Sequence, residues 1–254
     1  MSSDVETYDR HLPFETVFNF RDLGGYPAAD GRTVKWRTVF RADGLHRLSG
    51  ADVALFADLG VRTVLDLRTH AELEERGRIG AGGEVEVHWH HLPLMDVHWD
   101  PDAYDEALGA DRYLADRYLD MLETGRAGIA GGLRIIADRE STPLVFHCAA
   151  GKDRTGVLAA LTLSLLGVSD DDVAADYALS TLAVERFTAW MAVNAPEVLE
   201  ELAKIPEAFT RSPVEAMRLF LGDLRARYGS VVGYAADVGV DRAAIGALRD
   251  QLLT

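Results

Sequence analysis

His147-Cys148-Ala149-Ala150-Gly151-Lys152-Asp153-Arg154-Thr155-Gly156 joins two apolar runs of different character. Pro143-Leu144-Val145-Phe146 before it reads as a buried strand, and Gly156-Val157-Leu158-Ala159-Ala160-Leu161 after it reads as a helix. Strand, tight loop, helix is the setting in which backbone N–H groups converge on an anion at a helix N-terminus. Working outward, strand and helix signals alternate upstream of the loop. Ser49 is placed to cap a helix running to Leu59, Val61 to Leu67 is a strand, Ala71 to Arg76 is helical, and Val85 to Leu92 is a strand. Tyr104 to Thr124 and Ala127 to Asp138 are helices, and Asp30-Gly31 marks a turn in an N-terminal β element. That alternation predicts an α/β fold with a mostly parallel central sheet and helices on both faces. Ligands of open parallel sheets bind beyond the C-terminal strand ends. Arg68, Asp96 and Cys148 each follow such an end and are expected on one edge despite their separation in sequence.

The same ten residues carry the parts for covalent attack on a phosphate ester: a nucleophile, compensation for three equatorial oxygens, and a proton source for the leaving group. Cys148, the sole cysteine, is a nucleophile only as thiolate, a form favoured by a helix N-terminus and a nearby guanidinium. Arg154 lies six residues on, so the chain can curl until its planar fork faces two phosphoryl oxygens. Ala149, Ala150, Gly151, Lys152, Asp153, Arg154 and Thr155 are the expected phosphate-binding segment, with Gly151 and Gly156 permitting the curl. The Thr155 hydroxyl is placed to hydrogen-bond the thiolate or cap the helix. An inert buried cysteine, the usual fate of a lone one, would leave the surrounding Lys, Asp, Arg and glycines unexplained.

The 254 residues fit a single domain, and the net charge of −15 gives no general attraction to nucleic acid or to an anionic membrane. Phosphate capture then falls to local cations, with Lys152, Arg154, Arg68, Arg21 and Arg41 the obvious suppliers. Met1-Ser2-Ser3-Asp4-Val5-Glu6 lacks the basic and apolar parts of a secretory signal, and the apolar run from Val157 to Val168 is too short to span a bilayer. A cytoplasmic protein without internal disulfides is expected, signal-independent export remaining open. After the helix that follows Cys148 the chain reads as helical throughout. Residues 170 to 207 are strongly acidic, and Phe187, Trp190 and Met191 form an apolar stripe suited to core packing.

H-C-x-x-G-K-D-R-T-G resembles the signature loop of the cysteine-dependent protein tyrosine and dual-specificity phosphatases, in particular their atypical bacterial branch. Phe18-Asn19-Phe20-Arg21-Asp22-Leu23-Gly24-Gly25, Val39-Phe40-Arg41, Val64-Leu65-Asp66-Leu67-Arg68, His91-Leu92-Pro93-Leu94-Met95-Asp96, Asp176-Tyr177 and Tyr228-Gly229-Ser230 resemble its successive landmarks. The resemblance implies a phosphatase fold over the whole chain, a phosphocysteine on Cys148, phosphoryl binding by Arg154, and no cofactor. It also suggests that residues 181 to 211 form a helical lid. It supports Asp153 as proton donor, since the atypical branch has an aspartate there. Asp96 matches an acidic residue after the family's Leu-Pro landmark, although no Trp-Pro-Asp sequence occurs. An acid on a separate loop approaches the apical leaving group more freely than one sharing space with the equatorial oxygens, so both aspartates are expected to contribute.

His147, Arg21, Asp22 and Arg68 are expected to support the loop; Asn19, Arg21 and Asp22 equally fit a role in tying down the N-terminal turn. His88, His90, His91 and His98 suggest a metal site, but no third ligand is fixed by spacing, and polar packing is the expected role. The expected function is hydrolysis of phosphate monoesters. Phosphotyrosine is the first substrate, with phosphoserine, phosphothreonine and phosphoinositides as further candidates. A small phosphorylated metabolite is an alternative substrate, and a phosphate-binding module without turnover is the rival class.

Overall fold

The computed structural model describes residues 9–80, 85–96, 99, 104–196 and 206–254. Among them five strands form one sheet in the order β1-β2-β5-β3-β4: β1 Arg21–Asp22, β2 Val39–Ala42, β3 Thr63–Asp66, β4 His88–His91 and β5 Leu144–His147. Only β1 runs antiparallel, against β2; the other pairings are parallel. The register sets Asp66 opposite both His147 and His91, and His147 opposite Ala42. Four strands therefore end along one edge, and the segments after β3, β4 and β5 leave from it.

Helices cover both faces. In chain order they are α1 Ala51–Asp58, α2 His70–Arg76, α3 Gly109–Thr124, α4 Arg126–Ile136, α5 Asp153–Leu166, α6 Asp170–Ala178, α7 Ser180–Asn194, α8 Glu207–Thr210, α9 Val214–Tyr228, α10 Val231–Asp237 and α11 Arg242–Leu252. The two-residue period of the strands decides which core each side chain joins. Phe40, Val64 and Val145 point to a cluster with Phe14, Phe20 and Phe56, whereas Val39, Leu65 and Phe146 point to a larger one built on α3 to α6 and α9 to α11. Strands buried on both faces explain why they read as continuous apolar runs. α5 is buried on nearly every side, which its small residues permit: Gly156 lies so close to the Tyr177 ring that an added methyl would stand 3.0 Å from it. Gly167 ends α5 in the left-handed conformation at φ 88°.

Three sequence expectations are corrected in detail. Gly50, not Ser49, precedes α1, and no side chain caps that helix. The run from Tyr104 to Leu108 stays outside α3, which starts at Gly109, and forms a short 3-10 turn at Glu106–Leu108 whose start is capped by Asp105. The apolar stripe on α7 divides: Met191 is buried as expected, whereas Trp190 is 40 % exposed and Phe187 stands 5.5 Å from Phe18, outside both core clusters. Of the stretch 181 to 211, residues 197–205 lie outside the described residues, as does His98.

Candidate active site

Residues 148 to 152 curl around the N-terminus of α5, and their carbonyls face away from the ring they enclose. The Ala149 oxygen accepts from Gly44 N at 3.0 Å, that of Ala150 from Asn19 Nδ2 at 2.9 Å, and that of Gly151 from Arg41 Nη2 at 2.7 Å. The Lys152 oxygen accepts from Gly156 N at 2.8 Å inside the helix. In a trans peptide the following N–H points opposite its carbonyl. Three outside donors thus turn the N–H groups of Ala150, Gly151 and Lys152 inward, making a concavity suited to a tetrahedral oxyanion. Gly151 makes the curl possible. It sits at φ 67°, and a Cβ there would lie 2.6 Å from the Ala42 carbonyl.

Cys148 is 2 % exposed at the start of the curl. Arg154 closes it from α5 and is not left to itself: Nη1 and Nη2 both donate to the Glu72 carboxylate, Nη2 at 2.9 Å to Oε1. Burial alone would lower the Arg154 pKa, but Cys148 and Glu72 outweigh it and hold the guanidinium charged. Glu72 is fixed by the helix that carries it. It accepts from Thr69 N at 2.8 Å while its own N–H donates to Thr69 Oγ1 at 3.2 Å, a reciprocal cap at the start of α2. Sequence reading missed Glu72, although Thr69-His70-Ala71-Glu72 carries the capping pattern.

The expected supporting residues divide by what they touch. Asn19 holds the loop directly, and Arg21 holds Asn19 while donating Nε to Asp176 at 3.1 Å. Asp22 instead accepts from Gly24 N and Arg37 N at 2.7 and 2.6 Å, tying the N-terminal turn. Arg68 turns back onto its own strand, donating to Asp66 at 2.8 and 2.6 Å and to the Gly77 carbonyl at the end of α2. His147 places Nδ1 3.2 Å from the Cys148 carbonyl oxygen and Nε2 3.6 Å from Asp66; burial lowers its pKa, against the pull of Asp66. The Lys152 ammonium points out of the ring, donating to the Ala208 carbonyl at 2.8 Å and lying 3.1 Å from Asp153. Thr155 Oγ1 is buried without a hydrogen-bond partner among the described residues, and no side chain caps α5.

Asp153 and Asp96 occupy different settings. Asp153 begins α5, and its Oδ1 accepts from Tyr118 Oη at 2.6 Å, which in turn meets Tyr177 Oη at 2.5 Å. Asp96 is exposed in the segment after β4. Beside the loop a cavity of about 180 Å³ is lined by Phe18, Ala149, Ala150, Ala183 and Phe187, with Asp43, Arg47 and Arg76 as its charged lining. His91, from the histidine cluster, places Nε2 2.8 Å from the Arg68 carbonyl oxygen. Among the described residues no three histidine, cysteine or acidic side chains are grouped to hold a metal, and no helix is long and apolar enough to cross a membrane.

Residues 12–254 match the sequence profile of the tyrosine phosphatase family. The chain belongs to that family. It is 31 % identical over 242 residues to a Cupriavidus necator protein that carries a tyrosine-protein phosphatase name, covering 90 % of this chain and 84 % of the relative. It is 28 % identical over 281 residues to the triple specificity protein phosphatase PtpB of Mycobacterium tuberculosis, covering 96 % and 99 %. P. aeruginosa TpbA, a solved structure, aligns at 17 % identity over 62 % of this chain and 80 % of its own, with a TM-score of 0.31. Family membership makes the chain a phosphoric monoester hydrolase of the protein-tyrosine-phosphatase type.

Proposed function

We propose that this family member hydrolyses phosphotyrosine through a phosphocysteine on Cys148. The observation that carries the reading is the anchoring of the Ala149, Ala150 and Gly151 carbonyls by Gly44, Asn19 and Arg41, in a loop with Cys148 at one end and Arg154 at the other, which leaves the following N–H groups to face inward. A phosphoryl group seated there has its equatorial oxygens facing amides and the Arg154 fork, which stabilise charge as the transition state forms. Cys148 Sγ displaces the leaving oxygen, an aspartate protonates it, and water then cleaves the S–P bond to release phosphate. Asp153, steadied by Tyr118, and Asp96, on a separate segment, both serve the leaving group. The apolar walls of Phe18 and Phe187 suit an aryl ester, and α7 serves as a lid beside the loop. The name of the mycobacterial relative supports a breadth beyond phosphotyrosine.

Turnover of p-nitrophenyl phosphate by the wild type, and its loss by at least about a thousandfold in Cys148→Ser, is the expected result. Equal activity in the two proteins would remove Cys148 from the chemistry. With an alkyl phosphate, whose leaving group needs the proton, Asp96→Asn and Asp153→Asn are each expected to flatten the high-pH limb of the rate profile. A limb lost in one variant and kept in the other assigns the proton to that one aspartate.

A further inference from the structure

Most cations around the phosphate loop have a carboxylate of their own. Arg154 faces Glu72, Arg68 faces Asp66, Arg47 is paired with Asp43, and Lys152 lies 3.1 Å from Asp153. Beneath the loop the balance differs. Arg21 and Arg41 share the single carboxylate of Asp176, at 3.1 and 2.6 Å, and none of the three side chains is more than 2 % exposed. Burial lowers the pKa of the neighbouring His147, against the pull of Asp66, and His147 pairs with Asp66 and not with this cluster. One positive charge is left over in a region closed to solvent, where an unpaired charge is costly.

Arg41 is the member of this cluster that touches the loop. It sits on β2 opposite Phe146, two residues before Cys148, and its Nη2 donates to Gly151 O at 2.7 Å and reaches Lys152 O at 3.5 Å. Its Nε has no hydrogen-bond partner among the described residues. Burial and Arg21 bring the Arg41 pKa down to about 10, while Asp176 and the Cys148 thiolate act to keep it charged. We infer that Arg41 is a positioning residue that supplies, from beneath the loop, the counter-charge of the Cys148 thiolate while holding the ring of N–H groups inward. The inference rests on the proposed reading only in that Cys148 works as a thiolate. Arg154 does not fill this part alone, because Glu72 already balances its charge. The other ionisable groups packed around the loop and this cluster include His147 from β5, Asp66 from β3, Asp43 after β2, Glu72 from α2, Lys152, Asp153 and Arg154 from the loop and α5, Asp176 and Tyr177 from α6, and Tyr26.

The lone cysteine allows the ultraviolet absorbance of the thiolate to be titrated in the full chain without substrate, between about pH 4 and pH 9, below tyrosine ionisation. Arg41→Met is expected to raise the midpoint by about one pH unit or more, and Arg41→Lys to recover most of that rise. Asp176→Asn enlarges the surplus of positive charge and is expected to lower the midpoint. A purely structural role predicts a rise in both Arg41→Met and Asp176→Asn, because both loosen the loop. An unmoved midpoint in Arg41→Met, or a raised one in Asp176→Asn, overturns the inference; should Arg41→Met not fold, the sign in Asp176→Asn decides. The readout needs no turnover. A protein whose midpoints move as expected but which hydrolyses no phosphate ester would overturn the phosphatase reading alone.

Discussion

Glu72 shows how much of the site depends on a side chain that touches no substrate. Its carboxylate gathers both terminal nitrogens of Arg154 and the Thr69 amide, all buried, so the fork is aimed before any phosphate arrives. Breaking a buried pair by removing one partner costs about 3 to 5 kcal/mol, chiefly from the charge left behind. Glu72→Ala is therefore expected to lower unfolding free energy by roughly that amount in urea titrations. Glu72→Gln keeps the shape and is expected to cost less stability but still reduce kcat/KM for p-nitrophenyl phosphate by about tenfold or more, through a misdirected fork. Wild-type kinetics in Glu72→Gln would mean that Arg154 is aimed by the loop alone. At this scale the sequence is legible only in part. Cys148 and Arg154 declare themselves by spacing, whereas Glu72 lies 82 residues from its partner and announces only a helix cap. By residue type Arg68 and Lys152 are obvious sources of positive charge for the phosphate, yet each is turned toward protein acceptors. Residue type does not state side-chain direction.

Elements were easier to read than their ends. β5, the loop and α5 follow from one apolar run, a glycine-bearing turn and a second run of small residues, and period-2 packing of the strands on both sides follows from their composition. Element boundaries depend on tertiary contacts, so α1 starts without a serine cap and α3 starts late. α7 is the least settled by sequence because its apolar residues face two ways. Ala183 and Phe187 line the cavity beside the loop, while Leu182 and Val193 are exposed, Val193 by 81 %. α7 meets the fold through Phe187 and Trp190 against Phe18, Arg186 beside His11, and Ser180 and Thr181 at its base, a set of contacts a lid can exchange on ligand binding. Amide exchange across residues 181 to 194 is expected to slow when orthovanadate fills the loop, and unchanged protection would remove the lid. Phe187→Ala is expected to raise KM for aryl phosphates by about three- to tenfold, the worth of one aromatic contact, while leaving small alkyl phosphates little affected.

For the whole molecule, two electrostatic effects oppose each other as pH falls. The net charge of −15 implies self-repulsion that protonation relieves, favouring the folded state at lower pH. Against this stand buried carboxylates whose charge the fold requires. Burial would raise Asp66 and Asp176, but His147 and Arg68 around the first, and Arg21 and Arg41 around the second, bring each down to about 2. Because each pKa lies below its ordinary 3.8, the stability these groups contribute is complete above about pH 4 and is lost as pH falls toward about 2. The fall is worth on the order of 2 kcal/mol for each group. His147 adds to it with the same sign: its pKa is lowered by burial, so the unfolded chain binds a proton that the fold refuses once pH drops below about 6.5. Repulsion among exposed carboxylates is screened beyond about 8 Å at physiological ionic strength, whereas the buried groups are screened far less. The buried groups should win. Urea midpoints measured at fixed ionic strength are expected to decline gently below about pH 6.5 and steeply between about pH 4 and pH 2. Added salt should not restore them, and a midpoint that holds level or rises through the lower window would show that relief of surface repulsion outweighs the buried pairs.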